Sequence, residues 1–229
     1  MAFILSSIMV RYTGHVGKKF HEDGSPRKFP GNTIICHVPK ESAQFSFLVD
    51  YQNRLKEQSW ADKFSFLPPS SFHMTVFEGI CDEVRKPRKW ISALPLDASL
   101  EETDEYLKEK WAKIEKTSGF QMKARFISIG SVITLNLMPK TAEEEKRIRD
   151  FRDTLSEQFG IRMPNHNRYG FHISFAYQIE KFNPLEMLKV AIFMWKEKSR
   201  VQNGFGILET NTPELTFFED MTEFASARH

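Results

Sequence analysis

Two short stretches, Phe72-His73-Met74-Thr75-Val76-Phe77 and Phe171-His172-Ile173-Ser174-Phe175-Ala176, each place one histidine two residues before a hydroxyl inside an apolar, β-favouring run. In a strand, residues i and i+2 share a face. His73 with Thr75, and His172 with Ser174, are therefore expected to look one way, while Phe72, Met74 and Val76 or Phe171, Ile173 and Phe175 turn the other. Imidazole titrates near pH 6.5, so at neutral pH one ring can take a proton while a second gives one up. A lone His-x-Thr is more often a hydrogen-bonded structural histidine than a catalyst. The second copy, in a matching context, points to a two-histidine acid–base site.

The two copies belong to an internal repeat. His73 and His172 lie 99 residues apart, whereas Pro39-Lys40 matches Pro139-Lys140, and Leu48, Tyr51 and Leu55 match Ile148, Phe151 and Leu155, at an offset of 100. A one-residue loop deletion reconciles the two offsets. The period is well above that of solenoid repeats, which leaves a duplicated lobe running strand, helix, histidine strand, helix, strand. Two such lobes about a pseudo-two-fold axis, with helices outside, would enclose a cleft carrying both histidines. Parity supports this in the second half, where Ile133, Leu135 and Leu137 suit the helix side and Thr134 and Asn136 the cleft. In the first half the same parity sends Cys36 inward and His37 outward, so His37 is not taken as catalytic.

The elements that must position the motifs are legible from caps and stripes. Thr33 to Val38 reads as a strand closed by Pro39. Ser42 then caps a helix with Leu48, Tyr51, Gln52 and Leu55 along one face. Ser99 with Glu102 and Thr141 with Glu144 read as capping boxes. The first opens a helix with the stripe Leu100, Leu107, Trp111 and Ile114, followed by Gly119; the second opens one with Ile148, Phe151, Leu155 and Phe159 before Gly160. Residues 121–129 and 132–138 read as strands around Gly130-Ser131. Asn183 with Pro184 starts a helix running to about Ser199, and a last strand falls within Glu214 to Phe218. The expected class is α+β: two pseudo-symmetric lobes of antiparallel sheet with outer helices. They form one domain over 1–229, with 1–32 an arm, 33–119 the first lobe and 120–218 the second.

Bulk properties narrow the function. The chain has 229 residues, 41% of them hydrophobic, with 21 Phe, which suits a well-filled core. A formal net charge of +2 gives no global field toward nucleic acid or membrane. Cys36 and Cys81 form no CxxC pair, as in a reducing compartment. The apolar opening at residues 1–10 lacks a basic start and is too short to span a bilayer; a cytoplasmic location is expected. Lys18, Lys19, Arg27 and Lys28 in the Gly- and Pro-rich arm can reach a phosphate, although a solvated loop is the plainer expectation there, as it is for Arg85-Lys86-Pro87-Arg88-Lys89. His15, His21, His166 and His229 are expected to be solvated. No HExxH or HxH spacing suggests a metal site, and no cofactor is expected.

The paired motifs resemble the signature of the two-histidine (2H) phosphoesterase superfamily, which includes RNA 2′,3′-cyclic phosphodiesterases, 2′-5′ RNA ligase-like proteins and ADP-ribose cyclic phosphate hydrolases. The similarity in order and spacing spans about Thr33 to Tyr177. Ser174 stands where threonine is commoner and keeps the hydroxyl. The arm and the closing Phe217-Phe218-Glu219-Asp220-Met221-Thr222 resemble a branch apart from the well-studied members. The resemblance implies His73 and His172 as general acid and base, with Thr75 and Ser174 holding the phosphate. Arg168 and Tyr169, just ahead of the second motif, are further candidates to bind phosphate or stack a base. The implied activity is metal-independent hydrolysis of a cyclic phosphodiester on a nucleotide or RNA end, by a monomer with no membrane partner. The alternatives are 2′-5′ ligation and a non-catalytic nucleotide- or RNA-binding module.

Overall fold

The computed structural model describes residues 11–227. In chain order the elements are β1 (Gly31–His37), α1 (Ala43–Lys56), β2 (Phe64–Phe66), β3 (His73–Cys81), α2 (Leu100–Lys113), β4 (Gln121–Ile129), β5 (Val132–Pro139), α3 (Ala142–Phe159), β6 (His172–Gln178), α4 (Pro184–Gly204), β7 (Ile207–Glu209) and β8 (Glu214–Phe218). They build two antiparallel sheets, ordered β3-β1-β8 and β2-β6-β5-β4-β7. The class is α+β with two lobes. Among the described residues, no helix is long and apolar enough to cross a membrane. Residues 1–10 and His229, each given a role by sequence, lie outside the described part.

Local chemistry sets the helix starts. The Ser42 hydroxyl accepts from Phe45 N, and Ser99 with Glu102 and Asn183 with Glu186 form reciprocal capping boxes. The expected box at Thr141 is only half made. Thr141 accepts from Glu144 N, but the Glu144 carboxylate turns to Gln121 N at 2.7 Å and so ties α3 to the start of β4. Gly160 ends α3 in the left-handed region (φ 65°), where glycine carries no Cβ penalty. Gly119 does not end α2, which stops at Lys113; a Cβ at Gly119 would lie 1.8 Å from Thr210 O, so close backbone approach requires glycine there. Strands β2 and β7, three residues each, are too short for alternation to show.

The sheets do not coincide with the halves of the chain. Strand β2 comes from the first half but pairs with β6, and β8 comes from the second half but pairs with β1. The helices cross over too. Tyr51 of α1 packs on Phe175 of β6 with ring centroids 5.8 Å apart, and Phe159 of α3 packs on Phe77 of β3 at 5.9 Å. Each histidine strand is thus backed by the helix of the opposite half.

Both histidine strands bulge at the same place. Ile34 pairs with Phe77 and Ile35 with Thr75, leaving Val76 extra; Ile133 pairs with Ala176 and Thr134 with Ser174, leaving Phe175 extra. A bulge disturbs the ladder and leaves backbone groups to be satisfied elsewhere. Buried side chains from the crossed-over helices meet that need. Arg152 Nη1 donates to Val76 O, and Gln52 Nε2 donates to Phe175 O at 3.3 Å and to Leu67 O at 2.8 Å. Gln52 and Arg152 are repeat mates, 100 residues apart, each about 1% exposed. The bulges also shift each strand's facing, so that Glu78 and Tyr177, rather than Phe77 and Ala176, follow the hydroxyls into the cleft.

The register corrects the expected parity of the first half. His37 pairs with His73 and Asn136 with His172, so the strands repeat at 99 although the helices repeat at 100. The extra residue is Met138, set between Leu137 and Pro139 where Val38 and Pro39 are adjacent. Ile34, Cys36 and Val38 accordingly point into the core, and the His37 ring stands 6.5 Å from that of His73.

The arm is packed rather than solvated. Phe20 and Phe29 join Leu67, Ile179, Phe218 and Met221 in a second small core. Backbone bonds from Thr13 N to Ile179 O and from Phe29 N to Glu219 O fasten it to both sheets' ends. His166, expected in solvent, is buried and shares a 2.9 Å hydrogen bond with Asp153, while His15 meets the edge of the Tyr177 ring. In the basic run, Arg85 donates to Leu96 O and Ala98 O instead of facing water.

The crossed struts give a stability test. Gln52→Leu leaves the Leu67 carbonyl without its donor and the Phe175 carbonyl with Leu67 N alone, and is expected to cost about 1–3 kcal/mol in urea unfolding. An unchanged midpoint would mean that the bulge stands without the strut.

Candidate active site

Strands β3 and β6 deliver His73, Thr75 and Glu78, and His172, Ser174 and Tyr177, to one cleft of about 550 Å³. This volume suits a nucleotide-sized ligand rather than a phosphate alone. The buried neighbours Phe72, Met74, Phe171 and Ile173 hold the other face of each strand against the core.

The two rings are tethered in the same way. His73 Nδ1 donates to Ser71 O at 2.6 Å and His172 Nδ1 donates to Gly170 O at 3.0 Å, in both motifs the carbonyl two residues back. A carbonyl can only accept, so Nδ1 carries a proton and Nε2 is left for chemistry. The environments then diverge. The His73 ring lies 4.2 Å from the Phe224 ring, and burial pushes its pKa down to about 4. The Ser71 carbonyl opposes that shift, while His37 and His172 add to it. His73 is therefore neutral at pH 7. The Nε2 of His37 itself lies 3.1 Å from a carboxylate oxygen of Glu214.

Around the rings, Tyr169 is a wall residue. It is 6% exposed, its ring lies beneath the Arg152 guanidinium at 4.4 Å, and its hydroxyl is directed toward that of Thr75. Burial raises its pKa, so it stays protonated. That placement orients Thr75 and leaves no open face for stacking. Burial also lowers the Arg152 guanidinium to about 10, which keeps it charged at neutral pH. Arg168 sits exposed on the turn His166–Arg168, outside the cleft lining. Of the residues singled out by sequence, the cleft thus gathers His73, Thr75, Tyr169, His172 and Ser174.

Sequence reading missed Glu78 and Tyr177, whereas Lys19, one of the four arm cations given as able to reach a phosphate, does line the cleft. Strict alternation placed Phe77 and Ala176 on the cleft face, and only the bulges bring Glu78 and Tyr177 there. The usable signal was their own repeat spacing of 99 residues, the same as that of the histidines. The Glu78 carboxyl is raised chiefly by burial, against the pull of Arg152 and Lys89, and its Oε2 is buried without a hydrogen-bond partner among the described residues. Among the described residues, no three His, Cys, Asp or Glu side chains converge closely enough to hold a metal ion.

Comparison with known proteins agrees with this geometry. Residues 19–131 match the family model described as 2H-phosphodiest, a domain of unknown function (DUF1868). Among solved structures, the conserved protein of unknown function ATU0111 from Agrobacterium tumefaciens str. C58 is 27% identical, with a TM-score of 0.88 over 95% of this chain and 92% of that one. E. coli LigT in its apo form is 12% identical, with a TM-score of 0.47 over 88% of this chain and 96% of that one. A search of curated proteins finds no match. That family model covers the first histidine motif, and the second motif faces it across the cleft.

Proposed function

We propose that the chain hydrolyses a cyclic phosphodiester, a 2′,3′-cyclic phosphate or a similar ring, on a nucleotide or RNA end, without a metal ion. The observation that carries this is the pair of histidines in one cleft, each tied at Nδ1 and free at Nε2. Neutral His73 suits the general base. Its Nε2 takes a proton from water as the water oxygen bonds to phosphorus, and His172 gives its Nε2 proton to the ribose oxygen as the ring P–O bond breaks. The product is a phosphomonoester beside a free hydroxyl, with the proton moved from His172 to His73 and reset through solvent. Thr75, oriented by Tyr169, and Ser174 donate to the non-bridging oxygens. In phosphoryl transfer such positioning and charge stabilisation carry most of the effect. The two unpaired thiols suit a cytoplasmic setting.

A panel of 2′,3′-cyclic nucleotides and cyclic-phosphate RNA ends, assayed with EDTA present, tests the activity. Binding without turnover across the panel would leave a binding module in its place. His73→Ala and His172→Ala are each expected to lower kcat by about 10²–10⁴-fold, the range for one general acid or base. Thr75→Ala should be milder, losing about 1.5–3 kcal/mol of transition-state stabilisation if its hydroxyl meets a charged oxygen. Circular dichroism checks that each variant is folded.

The depressed pKa of His73 sets two pH dependences. kcat/KM is expected to keep its full value down to the region of pH 4 and to fall below it, as the base becomes protonated. Stability behaves with the same sign. The unfolded histidine binds a proton near pH 6.5 and the folded one only near pH 4. The contribution from neutral His73 is thus present above about pH 6.5 and is lost as the pH falls toward 4. NMR titration of the ring checks this directly, and a midpoint near 6.5 would contradict it.

A further inference from the structure

We propose that Lys19 forms a second anion subsite in this cleft, so that the substrate carries a second phosphate on the same small molecule as the cyclic phosphodiester. The inference rests on the hydrolytic reading for the phosphodiester itself, and on separate observations for the second phosphate.

The arm presents Lys19 as a built feature. Its N–H donates to His15 O at 2.9 Å, its carbonyl accepts from Arg27 N at 2.8 Å, and the next residue, Phe20, is fully buried. Gly17, at φ +80°, makes the turn that returns the chain to this point. The ammonium lies 4.9 Å from the centre of the Tyr177 ring and 5.0 Å from that of Phe29, and it lines the same cleft as both histidines. Tyr177 is the residue that the β6 bulge turns inward, so Lys19 sits over the floor that β6 shares with His172 and Ser174.

What Lys19 lacks is an anion. Lys63 and Arg11, other cations on this side of the molecule, both pair with Glu180. Lys19 has no ion-pair partner among the described residues, and residues 1–10 contain no Asp or Glu. Burial costs its charge and lowers its pKa, and the two ring faces offset only part of that cost. An arriving phosphate would complete the set. The cleft, at about 550 Å³, has room for a nucleoside body carrying two phosphates.

Product-like ligands allow a test that does not depend on turnover. Calorimetry compares adenosine 2′-monophosphate with adenosine 2′,5′-bisphosphate on the wild-type chain, Lys19→Gln and Lys19→Arg. The bisphosphate is expected to bind the wild type about 10–100-fold more tightly, the scale of one charge-assisted contact. Lys19→Gln should erase that gap and leave the monophosphate affinity unchanged, while Lys19→Arg should retain most of it. A wild-type chain with no gap, a gap that survives in Lys19→Gln, or no binding of either ligand would each overturn the subsite. Loss of hydrolysis across the cyclic-phosphate panel, with the Lys19-dependent gap intact, would instead sink the hydrolytic reading alone.

Discussion

The site depends on two buried hydrogen bonds that cross between the halves of the chain. Arg152 holds Val76 O and Gln52 holds Phe175 O, each at the bulge just beyond a catalytic-type hydroxyl. Without Arg152 the Val76 carbonyl would lie buried and unsatisfied, while the Phe175 carbonyl, which also accepts from Leu67 N at 2.9 Å, would lose its second donor. With these donors, the strand can advance by a residue and present a polar side chain after the His-x-hydroxyl pair. The two struts also differ in kind. Arg152 adds a charge that stacks on Tyr169 and faces Glu78, so the strut that shapes β3 also sets the field around Thr75. Gln52 is neutral and leaves the β6 side without such a charge.

Much of this was legible in the residues. Motif parity, caps and the repeat located both histidine strands and all four α-helices, because each rests on a local rule of period or capping. What the residues hid were departures from those rules. A bulge leaves no mark in composition, and strict alternation alone would carry Phe77 rather than Glu78 to the cleft face. One inserted residue, Met138, put strands and helices on different offsets and reversed the facing of Cys36 and His37. The arm has no periodicity at all, and its docking by Phe20 and Phe29 is a tertiary fact. Capping was right about starts but not about partners, as Glu144 shows by bonding Gln121 rather than its own cap.

The repeat supplies symmetry and the chain termini remove it. His73 and His172 share a motif, a backbone tether and a facing, yet Phe224 from the C-terminal segment rests against His73 alone. The small core formed by Phe20, Phe29, Phe218 and Met221 closes over one region of the cleft and has no counterpart in the duplicated plan. Two rings built on one plan are thereby placed in different surroundings.

The pairing of β8 with β1 bears on how the chain comes to be made. Thr216 bonds to Thr33 across 183 residues of sequence, and β1 is the centre of its sheet, flanked by β3 and β8. On the ribosome, β1 and β3 emerge early as a two-stranded ribbon with one edge open. That edge stays open until β8 follows, 183 residues after Thr33, which takes tens of seconds or less at about 5–20 residues per second. Such an exposed edge is a template for pairing with other chains. The hazard in this molecule therefore belongs to its biosynthesis. Loss of β8 alone would take away the strand that covers the edge, and would leave the helices and the larger sheet untouched.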